Sequence, residues 1–251
     1  MSASPEPSAP RTATLAVIGN GRLGGVLASA LRQADCAVAG PLRRGEPIPA
    51  SDIALLCVPD AEIVAAARAA RPHASLLGHV SGATPLDAVD FSIHPLQTFT
   101  GAEGPEVFHG IGAAIAGRTP DAEDAATRLA QALGARPFRI DDAHRAGYHA
   151  AASIASNLLL TVLDAAEQAL RAAGIRSDQA RDLLAPLVDR TVGNWVTAGA
   201  ADALTGPIAR GDDDTVARQR TAVATGTPDL VALFDQLCGS TRALAASKAA
   251  A

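Results

Sequence analysis

The chain has 251 residues, 48% of them apolar, and a net charge of −5 at pH 7. That is enough chain for one large domain or two smaller ones, with enough apolar side chain for a true core. The acidic balance removes any electrostatic case for nucleic acid or an anionic membrane as partner.

Residues 1–11, MSASPEPSAPR, carry no hydrophobic run and read as a disordered leader rather than a signal peptide. No run of about 18 apolar residues is free of charge or polar interruption, so no membrane span is expected, and the expected setting is cytoplasmic. Cys36, Cys57 and Cys238 lack metal-ligand spacing. Cys36 and Cys57 sit in apolar runs and read as buried free thiols, and no metal site is expected.

From residue 14 short apolar runs alternate with helical ones. Strands are predicted at 14–19, 36–42, 52–60, 75–82, 91–96, 110–117 and 136–140, and helices at 24–34, 61–70 and 121–135. Strands so continuously apolar have both faces covered, which predicts a largely parallel, doubly wound sheet. The pattern changes at Asp141, after which no strand is convincing. One long helix is predicted over 142–173 with Asp141 or Asp142 as cap, and a second from Ser177 to about 197, kinked at Pro186. A last helix opens at Thr227-Pro228 and runs to about 246. The expected architecture is an α/β Rossmann-like domain over 12–140 followed by an all-α domain over 141–251.

The first strand runs into Gly19-Asn20-Gly21-Arg22-Leu23-Gly24. A G-x-G-x-x-G turn between a strand and a helix suits a dinucleotide: Gly19 permits the tight turn, Gly21 lets backbone approach a pyrophosphate, and Gly24 allows close helix–strand packing. The second strand ends at Arg43-Arg44 with no acid. An NAD site usually has an acid there for the ribose 2′-hydroxyl, whereas paired guanidiniums suit a 2′-phosphate, so NADP(H) is the expected cofactor unless the pair is simply solvated. Val58-Pro59 at the end of the third strand is expected to border the same cleft.

Further polar residues lie at strand ends and on the first long helix. His79 and Ser81 in GHVSG, and His94 in SIHPLQTF, should project towards the cleft, since ligands of open α/β sheets bind outside the strands' carboxyl ends. Arg145, His149, Ser153 and Asn157 are spaced four apart on one helix face, with Tyr148 and Ser156 beside them. Such a stripe on an apolar helix faces either a network between helices or a polar substrate. In the turn-rich LTGPIARGDDDTV, Thr205 can contact substrate and Arg210 can clamp a carboxylate.

Taken together, GNGRLGG, HVSGA, HPLQTF, GYHAAASIASNLL and ALTGPIARGD resemble proteins in which a Rossmann-like domain precedes a domain of unknown function, DUF2520. That family resembles the wider 6-phosphogluconate-dehydrogenase-like superfamily of pyrroline-5-carboxylate reductases, prephenate dehydrogenases and ketopantoate reductases. The resemblance implies an N-terminal NADP-binding domain, a helical C-terminal domain and a homodimer formed through the helices. Relatives of the hydroxyacid-dehydrogenase and ketopantoate-reductase branches use a lysine early in the second domain. Here the one lysine is Lys248, and Arg145 and His149 occupy that region. His94-Pro95 also resembles the catalytic histidine segment of prephenate dehydrogenases.

The reaction expected is hydride transfer from NADPH to a small 2-oxo acid or imine, ketopantoate-like among the options. His94 or His149 would be the proton donor, Arg145 or Arg210 the carboxylate binder, and Ser81 and Asn157 the orienting groups. The alternative is a sensor or scaffold that binds NADP without chemistry.

Overall fold

The computed structural model describes residues 13–249; the leader expected at 1–11 lies outside them. Packing divides the chain into two units, one ending at Ser156 and one beginning at Asn157.

The first unit contains β1 (Thr14–Ile18), α1 (Arg22–Gln33), β2 (Ala37–Leu42), β3 (Ser51–Leu56), α2 (Ile63–Ala70), β4 (Ala74–His79), β5 (Phe91–Pro95), β6 (Gly112–Gly117), α3 (Pro120–Ala132), β7 (Arg136–Arg139) and α4 (Arg145–Ser153). The seven strands form one sheet in the order β2-β1-β3-β4-β5-β6-β7. All neighbours are parallel except β5 and β6. The segment between those two strands holds only a single 3-10 turn, Pro105–Phe108. With no crossover helix to carry the chain back, β6 returns antiparallel.

Alternation along the strands builds two cores. Leu15 and Val17 of β1, with Ile53 and Leu55 of β3, pack under α1 and α3, joined by Phe91, Ile93 and Phe108. Ala16, Ala54 and Leu56 point the other way, against Ile63, Ala67 and Ala70 of α2. The sheet is thus covered on both faces, as its uninterrupted apolar strands require. β1 leads to β2 on one side while β3 lies on the other. The carboxyl ends of β1 and β3 therefore form the topological switch point, where open sheets leave a crevice.

From Asp142 to Ala172 the chain is one helical run: a 3-10 turn, α4, a π segment at Ile154–Leu158, and α5 (Leu159–Ala172). By length and composition alone this run could cross a membrane, with a mean hydropathy of 1.2 in its best window and none of that window buried. Ser153, Ser156 and Asn157 interrupt its apolar residues without adding charge, so the run contains no unbroken apolar stretch of that length.

The second unit continues with α6 (Ser177–Ala198), α7 (Ala200–Ala203), α8 (Asp213–Gly226) and α9 (Val231–Ala249). α6 remains one helix through Pro186. α8 falls where only a turn-rich loop was expected: the Asp212 carboxylate accepts the Thr215 N–H at 3.0 Å and starts the helix. Thr227 makes no side-chain cap; a 3-10 turn at Pro228–Leu230 precedes α9. Leu158, Leu160, Leu183, Leu187, Trp195 and Val196 of this unit are each more than half exposed.

Leu27 of α1 is 1% exposed inside the first core. Leu27→Ala should lower the unfolding free energy of the first unit by about 2–5 kcal/mol, read from its urea transition.

Candidate active site

The glycine turn links β1 to α1 by close contact. A Cβ on Gly24 would stand 2.0 Å from the Gly19 carbonyl oxygen, and one on Gly19, whose φ is +112°, would stand 2.2 Å from that of Cys57. Neither position admits a side chain. A Cβ on Gly21 would meet nothing within 4 Å, so that glycine faces open space. α1 begins there with no capping side chain and no acid in its first turn. Its free N–H groups and dipole thus face the space in front of Gly21, an arrangement that suits an anion.

That space opens into a cavity of about 720 Å³ at the carboxyl ends of β1, β2 and β3. Gly19, Asn20 and Gly21 line it, as do Arg43, Arg44, Val58 and Pro59; Arg22, Leu23 and Gly24 lie just beyond, in the start of α1. Glu46, Ile48, Glu62, Ala65, Ala66 and Ala69 complete the walls and were not singled out from sequence. Cys57, which also lines it, and Cys36 are half-buried rather than buried. Burial pushes the Cys57 thiol up to about 12, so it stays protonated.

A second cluster lies where α4 meets β5. Ser92 and His94 share a face of β5 by alternation, and Arg145, Tyr148 and His149 share a face of α4. The Tyr148 hydroxyl stands 2.7 Å from His94 Nδ1. The His149 ring centre lies 6.1 Å from that of His94, edge to face. Buried Gly82 comes against both imidazoles: a Cβ there would stand 2.9 Å from His94 Nε2 and 3.0 Å from a His149 ring carbon.

Arg145 is 2% exposed. Its Nε donates to Asp142, and a terminal nitrogen donates to Ser92 Oγ at 2.6 Å. Asp142 also accepts the Leu86 N–H at 3.0 Å. These contacts correct the expectation that Arg145 binds a substrate carboxylate, because a buried guanidinium already paired has no open edge to offer. Its role is to hold α4 on the sheet.

His79 is also corrected. It is 0% exposed, its Nδ1 accepts the Ser81 N–H at 3.2 Å, and its Nε2–H donates to the Pro85 carbonyl at 3.3 Å. The Ser81 hydroxyl contacts Thr84 Oγ1 and accepts the N–H groups of Ala83 and Thr84. Both side chains are spent on their own loop rather than on a ligand. Ser153 is half-buried on α4, whereas Asn157 lies within the π segment, which breaks the four-residue spacing. Thr205 and Arg210 are exposed residues of the second unit, ahead of α8.

Burial lowers His94 to about 4, with the charges of His149 and Arg145 acting in the same direction. Tyr148 is raised to about 12 by burial. Both are therefore neutral at pH 7.

The profile of DUF2520, a domain of unknown function, matches residues 111–241, just over half of the chain. The chain belongs to this family. No curated protein matches it in sequence. Among solved structures, a candidate NADP oxidoreductase of Bacteroides fragilis is 20% identical with a TM-score of 0.76, covering 92% of this chain and 98% of its own. A Thermotoga maritima protein is 21% identical with a TM-score of 0.78, covering 92% of this chain and 99% of its own. Pyrroline carboxylate reductase of Plasmodium falciparum, solved with NADP bound, is 11% identical with a TM-score of 0.56 over 93% of this chain and 98% of its own. At these identities the likeness shows the fold: a Rossmann-like sheet followed by helices.

His94 binds a proton less readily folded, at about 4, than at its ordinary 6.5. The unfolded chain therefore takes up the extra proton, and stability is lost as pH falls from 6.5 towards 4. His94→Gln should flatten that limb in pH-dependent urea melts of the full chain, leaving the share of His79, which burial also lowers.

Proposed function

We propose that this protein is an NADP(H)-dependent oxidoreductase acting on a small carbonyl or imine substrate, carboxylate-bearing 2-oxo acids being the first class to test. The observation that carries the reading is the placement of two features on one edge of one sheet. The glycine turn with its cavity follows β1, and the His94–Tyr148–His149 cluster stands at the end of β5, parallel to β1 through β3 and β4. The cavity residues fit a dinucleotide. Gly21 and the uncapped start of α1 suit the pyrophosphate, and Arg43 and Arg44 suit a 2′-phosphate. The candidate NADP oxidoreductase and the NADP-bound reductase among the structural neighbours support the same reading.

Bound NADPH would supply the hydride. The chain's own part is to position the substrate and move a proton. In one tautomer the Tyr148 O–H donates to His94 Nδ1, which leaves Nε2–H free to donate to a substrate oxygen or nitrogen. Neutral His94 thus acts as a hydrogen-bonding electrophile. Exposed His149, edge-on to it, exchanges protons with solvent and supplies the one the product needs.

NADPH consumption should be measured against a panel of 2-oxo acids and cyclic imines. His94→Gln should lower kcat on an active substrate by about a hundredfold or more, with NADPH affinity unchanged. NADPH binding with no turnover across the panel favours the second reading, a nucleotide-binding sensor; the commitment of Arg145 to Asp142 and Ser92 is the observation on its side.

The proposed partner of the helical unit is a second copy of the chain. Only Ala180, Val216 and Cys238 are buried within that unit among its described residues, while Leu187, Trp195 and Val196 of α6 are 64%, 56% and 72% exposed. Exposed apolar side chains in that number mark an interaction surface. Light scattering should give twice the 25.3 kDa chain mass, and Leu187→Glu with Trp195→Glu should return a folded monomer. A detergent-dependent mass would favour membrane association instead.

A further inference from the structure

The cavity at the switch point contains a carboxylate in an unexpected place. β2 ends without an acid, but Glu62, just before α2, reaches the same wall and pairs with Arg44. The pair joins the β2–β3 loop to the start of α2. The other acid on this wall, Glu46, is committed to its own turn: its carboxylate accepts the Arg43 N–H at 2.8 Å, and its N–H donates to the Arg43 carbonyl at 3.1 Å. Arg43 and Arg44 therefore differ. Arg44 already has an anionic partner, and that partner lines the cavity.

We infer that Glu62 sets the preference between NADP and NAD by competing with the nucleotide's 2′-phosphate for Arg44. This rests on the cavity being a dinucleotide site. A 2′-phosphate gains the Arg44 guanidinium only by displacing a carboxylate, and it meets the repulsion of that carboxylate if Glu62 stays nearby. A 2′-hydroxyl meets neither cost, because it can donate to Glu62. The pair is a solvent-facing one, Arg44 being 82% and Glu62 40% exposed by side chain. The competition is therefore modest and can tune preference without abolishing binding of either nucleotide.

The probes are 2′,5′-ADP and 5′-AMP, which differ at the 2′-position, with NADPH and NADH as full-length counterparts, titrated calorimetrically into the full chain. Glu62→Gln keeps the shape of the side chain and removes its charge. It should tighten 2′,5′-ADP and NADPH about two- to tenfold while leaving 5′-AMP and NADH within about twofold. Arg44→Ala should weaken the 2′-phosphorylated pair, and in Glu62→Gln/Arg44→Ala the gain should vanish, because the two residues act through one contact. A ratio unchanged by Glu62→Gln, an equal gain for all four probes, or a gain that survives loss of Arg44 overturns the role of Glu62 while leaving the nucleotide site intact. Failure of all four to bind the wild-type chain overturns the nucleotide reading, and this inference with it.

Discussion

A buried positive charge shapes the candidate active site. An arginine taken out of water must be fully paired, or the structure loses several kcal/mol. Arg145 meets that demand with two partners that come from different places: Asp142 one turn earlier in the same helical run, and Ser92 on β5, 53 residues away in sequence. Asp142 is fixed in turn by the Leu86 N–H. These bonds clamp the start of α4 onto the sheet and set the helix's rotation. With Arg145 facing Ser92, residues three and four further on must lie over His94, and those residues are Tyr148 and His149. The charge that builds the site also tunes it, since Arg145 helps hold His94 neutral.

The cavity at the switch point depends on a constraint of the opposite kind, the absence of atoms. Gly19 and Gly24 let β1, α1 and the end of β3 approach until backbone meets backbone, which places the start of α1 at the switch point. Gly82 does the same for the second cluster by admitting backbone against two imidazoles. Both clusters therefore depend on glycines chosen for space, and both sit at strand ends, where the sheet stops and its covering helices leave room.

Features encoded locally could be read from the sequence. GNGRLGG carries its own geometry in consecutive residues, and the apolar strands declare a covered sheet. His94 lies at the end of a strand, β5, as its sequence context indicated. The partners of charged groups could not be read in this way. Nothing near Arg145 points to Ser92, so a polar stripe that looked ready for substrate turned out to be partly structural. His79 misled for the same reason, because its acceptor at Pro85 belongs to a loop whose path only the fold supplies. α8 was hidden by its own cap: Gly211-Asp212-Asp213-Asp214 has the composition of a loop, and the helix that follows buries only Val216. The antiparallel β6 was legible in principle, because the stretch between Pro95 and Gly112 lacks the helical period that a parallel crossover needs.

A neutral His94 changes what kind of chemistry the cluster favours. A charged imidazole would give its proton outright, whereas a neutral one bonded to a neutral tyrosine polarises its target and passes a proton only if another group replaces it. Tyr148 is a poor source, since its hydroxyl is raised to about 12 and the buried site disfavours the phenolate. His149 is the most exposed of the three rings in the cluster. In the proposed reaction the roles would separate by environment: the half-buried histidine would align and polarise, the exposed one would relay the proton, and the tyrosine would fix the tautomer of the first. That separation follows from how deeply α4 seats each side chain, and the seating follows from the pairing of Arg145.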